Sequence, residues 1–204
     1  MWIEQMPNWV RRLYPTVCWR KEDANKTLYL TFDDGPNTTI TPWILDQLDE
    51  LGVKATFFCI GNNAEKYPDL VKAIIERGHT IGMHGYSHTR GLYKNTAVFL
   101  QDIEQCAKWV KSNLYRPPHG RITPKQAKLL SKTYTVVLWD VITRDYDASL
   151  SPQEVEKIAL KYTRNGSIVV FHDSIKAQKN MQYVFPRAVK QWLSEGYTFA
   201  TLND

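Results

Sequence analysis

The stretch TLYLTFD, from Thr27 to Asp33, is apolar enough to be a buried strand. From Thr41 the period changes to that of an amphipathic helix in TPWILDQLDELG, with Pro42 in the first turn and Gly52 at its stop. The change then recurs. ATFFCIG predicts a strand, AEKYPDLVKAIIERG a helix stopped by Gly78, and HTIGMH another short strand. TAVFLQDIEQCAKWVKSNL is the longest predicted helix, with Val98, Ile103, Ala107 and Val110 on its buried stripe. There follow an extended YRPP, a helix TPKQAKLLSK, the apolar strand TVVLWD, a helix SPQEVEKIALKYTRNG, the strand SIVVFHD, a helix ending near RAVKQWLSEG and a last strand YTFATL. Strand and helix alternate about seven times, which predicts an α/β fold with a parallel sheet covered by helices. So many units in 204 residues favour a small, incomplete β/α barrel over an open doubly wound sheet. No Gly-rich dinucleotide turn follows the first strand, which weakens the open-sheet alternative further.

A chain of 204 residues fits one domain, able to remove about 70% of its unfolded surface from water. Residues 1–25, with Pro7, Arg11, Arg12 and Pro15 interrupting their hydrophobicity, lack the continuous apolar core of a signal peptide and are expected to pack on the domain as an N-terminal arm. Lying on a membrane surface through its Trp, Tyr and Arg residues is the alternative for that arm. No stretch is long and apolar enough to span a membrane. The formal charge of +5 is spread without a dense basic run, so nucleic acid is not an expected partner. Cys18, Cys59 and Cys106 are too few and too scattered for a disulfide framework or a four-thiolate metal site, which favours a reducing compartment. A cytoplasmic protein is the expectation, with peripheral attachment or export by another route as the alternative, and a monomer is the default.

Chemistry concentrates where the strands end. Asp33 and Asp34 follow the first strand, His84 and His88 the third; Arg116 lies on the fourth, Asp145 follows the fifth, and His172 ends the sixth. In a β/α barrel all these ends open onto one face, so residues distant in sequence converge there. The two histidines of HGYSH are four apart, close enough for one turn or a tight loop to aim both at one ion. With one carboxylate they make a two-His, one-Asp set that leaves positions for water and substrate, as in a catalytic metal site. Of the adjacent carboxylates in TFDDGP, one would hold the cation and the other would take a proton from water. The alternative is an Asp-Gly turn with Asp34 as a helix cap.

These segments resemble the polysaccharide deacetylases, the NodB-homology group also called carbohydrate esterase family four, over residues 26–204 as the catalytic domain. TFDDG is identical to the family's first motif, which implies Asp33 as general base and Asp34 as metal ligand. HGYSH is similar to the second and implies His84 and His88 as the other ligands. RPPHG resembles the third, with Arg116 holding the base carboxylate and a backbone N–H near Pro118 and His119 binding an oxyanion. DVITRDY is similar to the fourth, with Asp145 orienting the catalytic histidine and Tyr146 on the cleft wall. VVFH stands in place of the fifth: His172 would be the general acid, with Val169 and Phe171 lining the acetyl pocket.

The resemblance implies a distorted (β/α)7 barrel and one divalent metal, zinc first, with cobalt, nickel or iron as alternatives. The activity it implies is hydrolysis of N-acetyl groups on an acetylated sugar polymer or oligomer. An O-acetyl esterase and a noncatalytic carbohydrate-binding domain are the alternatives. The sequence departs from the family pattern at Gly85, where a Ser or Thr hydroxyl would brace the metal loop, at His119 in place of an aromatic, at Ile142 in place of an Asp, and at Tyr146 in place of a Trp. Lost bracing of this kind costs about 10 to 100-fold in metal affinity or activity.

Overall fold

A computed structural model describes residues 4–22, 25–91 and 95–202. Its strands, all paired in parallel, are β1 (Val17–Cys18), β2 (Thr27–Asp33), β3 (Thr56–Cys59), β4 (Thr80–Met83), β5 (Leu114–Tyr115), β6 (Thr135–Val137), β7 (Val141–Ile142), β8 (Ile168–His172) and β9 (Thr198–Phe199). The helices are α1 (Asn8–Arg12), α2 (Ile40–Leu51), α3 (Gly61–Lys66), α4 (Pro68–Glu76), α5 (Thr96–Cys106), α6 (Pro124–Leu130), α7 (Pro152–Tyr162) and α8 (Gln178–Ser194). The sheet runs β1-β6-β5-β4-β3-β2-β8-β7, with β9 added to the start of β2. It curls toward closure: beyond β1 the Lys21 N–H donates to the Gly166 carbonyl at 2.9 Å and an isolated bridge joins Arg20 to Ser167. The barrel is therefore distorted, completed by single contacts where a regular one has a ladder.

Strand alternation divides the core in two. Tyr29 and Ile168 face inward with Phe58, Leu114, Val137 and Leu202 to fill the barrel. The alternate residues face the helices, where Phe32 and Phe171 meet Phe185 of α8 at ring separations of 5.2 and 5.6 Å. This period of two carries on to the strand tips, where it decides which side chains reach the open face.

Two predicted helices differ from what forms. The helix expected across Ala64 to Gly78 is broken into α3 and α4 at Tyr67, whose φ of −129° and ψ of 60° are non-helical because Pro68 crowds the helical conformation of the residue before it. The helix expected to reach Leu114 stops at Cys106; the Ser112 hydroxyl donates to the Ile81 carbonyl at 2.7 Å and accepts the Leu114 N–H at 3.1 Å, drawing the chain into β5. The buried stripe of α5 is Phe99, Ile103 and Cys106, and Val98, one position off it, is 48% exposed. Ala107 is half-buried and Val110 fully buried beyond the helix end.

The N-terminal segment is built into the sheet. β1 pairs with β6, Trp19 is buried, and Arg11 reaches the buried carboxylate of Asp140, which Arg164 also grips through two 2.9 Å bonds. Among the described residues no helix is long and apolar enough to cross a membrane.

Candidate active site

The C-terminal tips of the strands bring the predicted residues together. Asp33 and His172 are register partners on β2 and β8, so the two proton-transfer candidates stand side by side. Arg116, fully buried just after β5, donates from Nη1 to Asp33 Oδ1 at 2.6 Å and to Thr31 Oγ1 at 2.8 Å, and from Nη2 to the Leu138 carbonyl at 3.1 Å. The guanidinium thus fixes one carboxylate oxygen of Asp33 and offsets the cost of burying its charge.

Asp34 points elsewhere because the chain turns at it. Its φ is 80°, in the left-handed region, and Asn63 Nδ2 donates to its carbonyl at 2.8 Å. His88 (54°), His119 (58°) and Arg144 (62°) also have positive φ, so every non-glycine residue of this kind among those described lies in the loops around the site. Such conformations cost of order 1–3 kcal/mol each and persist where surrounding contacts impose them. Gly35 is required for a different reason: a Cβ there would lie 2.1 Å from Asp173 Oδ2. That carboxyl is buried and bonded to Thr41 Oγ1 at 2.6 Å and Asn37 Nδ2 at 2.8 Å, and burial pushes its pKa up to about 7. Asp34 caps no helix, since α2 begins after Thr39.

Asp34, His84 and His88 offer donor atoms all within 4.8 Å of one another. Asp34 Oδ1 lies 3.2 Å from His88 Nε2 and 3.6 Å from His84 Nε2. Two ligands at about 2.0–2.1 Å from a tetrahedral zinc stand roughly 3.4 Å apart, so the set fits such an ion with little movement. His84 Nδ1 is bonded to the Arg116 carbonyl at 2.8 Å, which places the hydrogen on Nδ1 and leaves the Nε2 lone pair facing the cluster. Burial lowers the pKa of His84, an effect that Asp33 only partly offsets, so the ring is neutral, as a ligand must be. Burial raises that of Asp34, but the His88 hydrogen bond and the imidazoles of His172 and His84 outweigh it and hold the carboxyl below its ordinary range.

The loop carrying the two histidines has its bracing after all. Asp102 of α5 accepts the Tyr86 N–H at 2.8 Å and the Ser87 N–H at 3.0 Å, and takes the Ser87 hydroxyl as well. A Cβ at Gly85, whose φ is 73°, would come 2.8 Å from Asp102 Oδ2. The missing hydroxyl leaves room for a carboxylate from the next helix.

On the opposite flank His172 Nδ1 is bonded to Asp145 Oδ1 at 2.7 Å, and the His172 N–H donates to the other oxygen of the same carboxylate at 2.7 Å. Burial opposes the imidazolium, but the charge and hydrogen bond of Asp145 outweigh it, and His172 rises to about 9. Tyr146 sets its ring edge-on to His172 with centroids 4.7 Å apart. The loop before them is tied to the N-terminal segment: Arg144 donates to Glu4 at 2.9 Å and Asp147 at 2.6 Å, and the Ile142 N–H donates to the Glu4 carbonyl at 3.0 Å.

All these groups open into one cavity of about 740 Å³, in which Asp33, Asp34, His84, His88, His119, Tyr146 and His172 have surface. Pro118 is buried in the turn that carries His119, whose ring lies tilted against that of His88 with centroids 4.4 Å apart. Val169 and Phe171 do not line it. Both are fully buried on the helix-facing side of β8, because His172 occupies the inward register and the residues one and three before it must face away. The apolar wall is Met6, Trp139 and Ile142 instead. Sequence reasoning missed Met6, Trp139, Asp102 and Asp173; of these only Trp139, at a strand end in TVVLWD, carried a positional signal.

A family model described as polysaccharide deacetylase matches residues 20–137. The chain belongs to the polysaccharide deacetylase family. Among its deacetylase relatives are two peptidoglycan-N-acetylglucosamine deacetylases of Bacillus cereus, 34% identical over 85% of the chain and 31% identical over 95%; the chain spans 66% of the first and 95% of the second. A crystal structure of a peptidoglycan N-acetylglucosamine deacetylase, 31% identical, superposes with a TM-score of 0.86 over 97% of this chain and 95% of that one. The distorted barrel is shared with a pseudoenzyme of carbohydrate esterase family four from Bacillus anthracis, 19% identical, with a TM-score of 0.80 over 91% of this chain and 66% of that one.

Proposed function

We propose that this polysaccharide deacetylase relative is a metal-dependent hydrolase that removes N-acetyl groups from the sugars of a poly- or oligosaccharide and releases acetate. One observation carries the reading: a two-His, one-Asp cluster with zinc-like spacing shares one cavity with a carboxylate clamped by arginine and an imidazole held by a carboxylate. Asp34, His84 and His88 would hold one divalent cation, zinc first and cobalt, nickel or iron as alternatives. Bound there, such an ion supplies Lewis acidity to water and to the acetamide carbonyl.

Asp33, held in place by Arg116, takes a proton from the attacking water. The backbone N–H at His119, in the turn after Pro118, donates to the oxyanion as the carbonyl carbon becomes tetrahedral. His172, positively charged through Asp145, gives its proton to the departing amine as the C–N bond breaks. Water is consumed, and acetate and a free amino sugar leave. Tyr146, with Met6, Trp139 and Ile142, shapes the pocket in which the sugar sits. The B. cereus relatives named for N-acetylglucosamine in peptidoglycan support an amide substrate over an ester. The test pairs metal analysis with acetate release from a panel of N-acetylated and O-acetylated glycans on one sample; stoichiometric metal with no acetate from any of them overturns the reading.

A further inference from the structure

Three exposed cations line the cavity, and among the described residues they have no ion-pair partner. Arg90, Arg121 and Lys176 all line it, and each comes from a different loop: Arg90 follows His88, Arg121 follows His119 and Lys176 follows His172. All three are exposed, and among the described residues none lies within ion-pair distance of a carboxylate. Arg11, Arg20, Arg77, Arg116, Arg144 and Arg164 each have an acidic partner, whereas Arg187, on α8 away from the cavity, bonds the Tyr183 carbonyl. The carboxylates inside the cavity cannot serve the three, because Asp33 is engaged by Arg116, Asp34 by His88 and Asp145, behind the wall, by His172. Lys176 is held over the cavity wall, its Nζ 5.6 Å from the centre of the Tyr146 ring.

We propose that Arg90, Arg121 and Lys176 bind an acidic substituent of the glycan, a carboxylate or phosphate ester, so that the substrate is an acetylated glycan with an anionic group near the reacting acetamide. The inference rests on the deacetylase reading. The two carboxylates on the cavity floor, Asp33 and Asp34, are held by Arg116 and His88, so the three exposed cations at its edge leave a positive rim that draws in the opposite charge. Two guanidinium forks match the paired oxygens of a carboxylate or phosphate. Convergence from three loops onto the mouth of the reacting site places the acid on the bound sugar or its neighbour.

The test uses the zinc-loaded protein and three N-acetylglucosamine tetramers: neutral, bearing one lactyl ether carboxylate, and bearing one phosphate monoester. The dissociation constant is read by calorimetry and acetate release is read separately, at about 20 mM and about 500 mM salt, since screening acts on exposed charges. Expected is about tenfold tighter binding of an acidic tetramer at low salt, from three partly exposed ion pairs. That advantage shrinks at high salt, and its ratio to the neutral tetramer moves toward one in the R90Q/R121Q/K176Q variant. A larger advantage for the carboxylate or for the phosphate tells which acid the rim takes. A wild-type ratio near one, or a ratio that survives in the triple variant, overturns the proposal. Equal binding with acetate released would sink the rim and leave the hydrolase; tighter acidic binding without acetate would sink the hydrolase and leave the rim.

Discussion

His84, fully buried, and His172, partly buried, stand at the ends of parallel strands and share the field of Asp33 and Asp34, yet their proton affinities move in opposite directions. The difference lies in what each Nδ1 meets. His84 faces a backbone carbonyl, which orients the ring without adding charge, so burial prevails and Nε2 stays an unprotonated donor. His172 faces the Asp145 carboxylate, which outweighs the effect of burial and keeps the ring charged. One fold thus prepares, from the same side chain, a neutral ring suited to hold a cation and a charged ring suited to give a proton, by changing one partner atom.

The largest expected effect comes from exchanging either ring for alanine, with opposite signatures. H172A should lose on the order of 10² to 10⁴ in acetate release, the range for removing a general acid, while metal content is retained. H84A should lose the metal itself, read by elemental analysis; equal metal loss in both variants would erase the distinction. D145N comes next, with a rate loss at neutral pH on the order of 10². Without the carboxylate the imidazolium of His172 loses its main support, its pKa falls from about 9, and the alkaline limb of the kcat profile moves to lower pH. The sign for stability follows. A folded-state pKa above the ordinary 6.5 contributes stability that is complete below that pH and is lost as pH rises through about 9, so the Tm of wild type should fall across that window and that of D145N should stay flatter.

D102A tests the ligand side more gently. Metal affinity should drop by about 10 to 100-fold, measured by competition with a chelator, and acetate release should recover at high metal concentration. Unchanged affinity would mean that Asp102 merely packs. The smallest effect is expected for E4Q, since Arg144 keeps Asp147; a cost below about 1 kcal/mol, read as a Tm shift, fits a partly exposed pair.

The alternation of strands and helices and the placement of chemistry at strand ends were legible because both follow from local periodicity. Asp33, Asp34, His84, His88, Arg116, Asp145 and His172 therefore converge in the structure from five separate segments. What escaped the sequence depends on register or on partners far along the chain. The resemblance of VVFH to the family's fifth motif implies Val169 and Phe171 in the pocket, although the period of two turns them away. Val98 looked apolar on the right helix but lies one step off its buried stripe. The two-residue strands β1 and β7 are too short to show a period, and Asp102 looks like any helical surface acid until the fold sets it under the Tyr86 and Ser87 amides.

Strand β1 carries a practical lesson for anyone making this protein. The family match starts at residue 20, but Val17 and Cys18 already shield the outer backbone edge of β6, and Arg11 helps to neutralise Asp140. A recombinant version begun at the family boundary would bare that edge and leave a sealed-in negative charge short of one cation, and the expected result is a sticky, self-associating preparation.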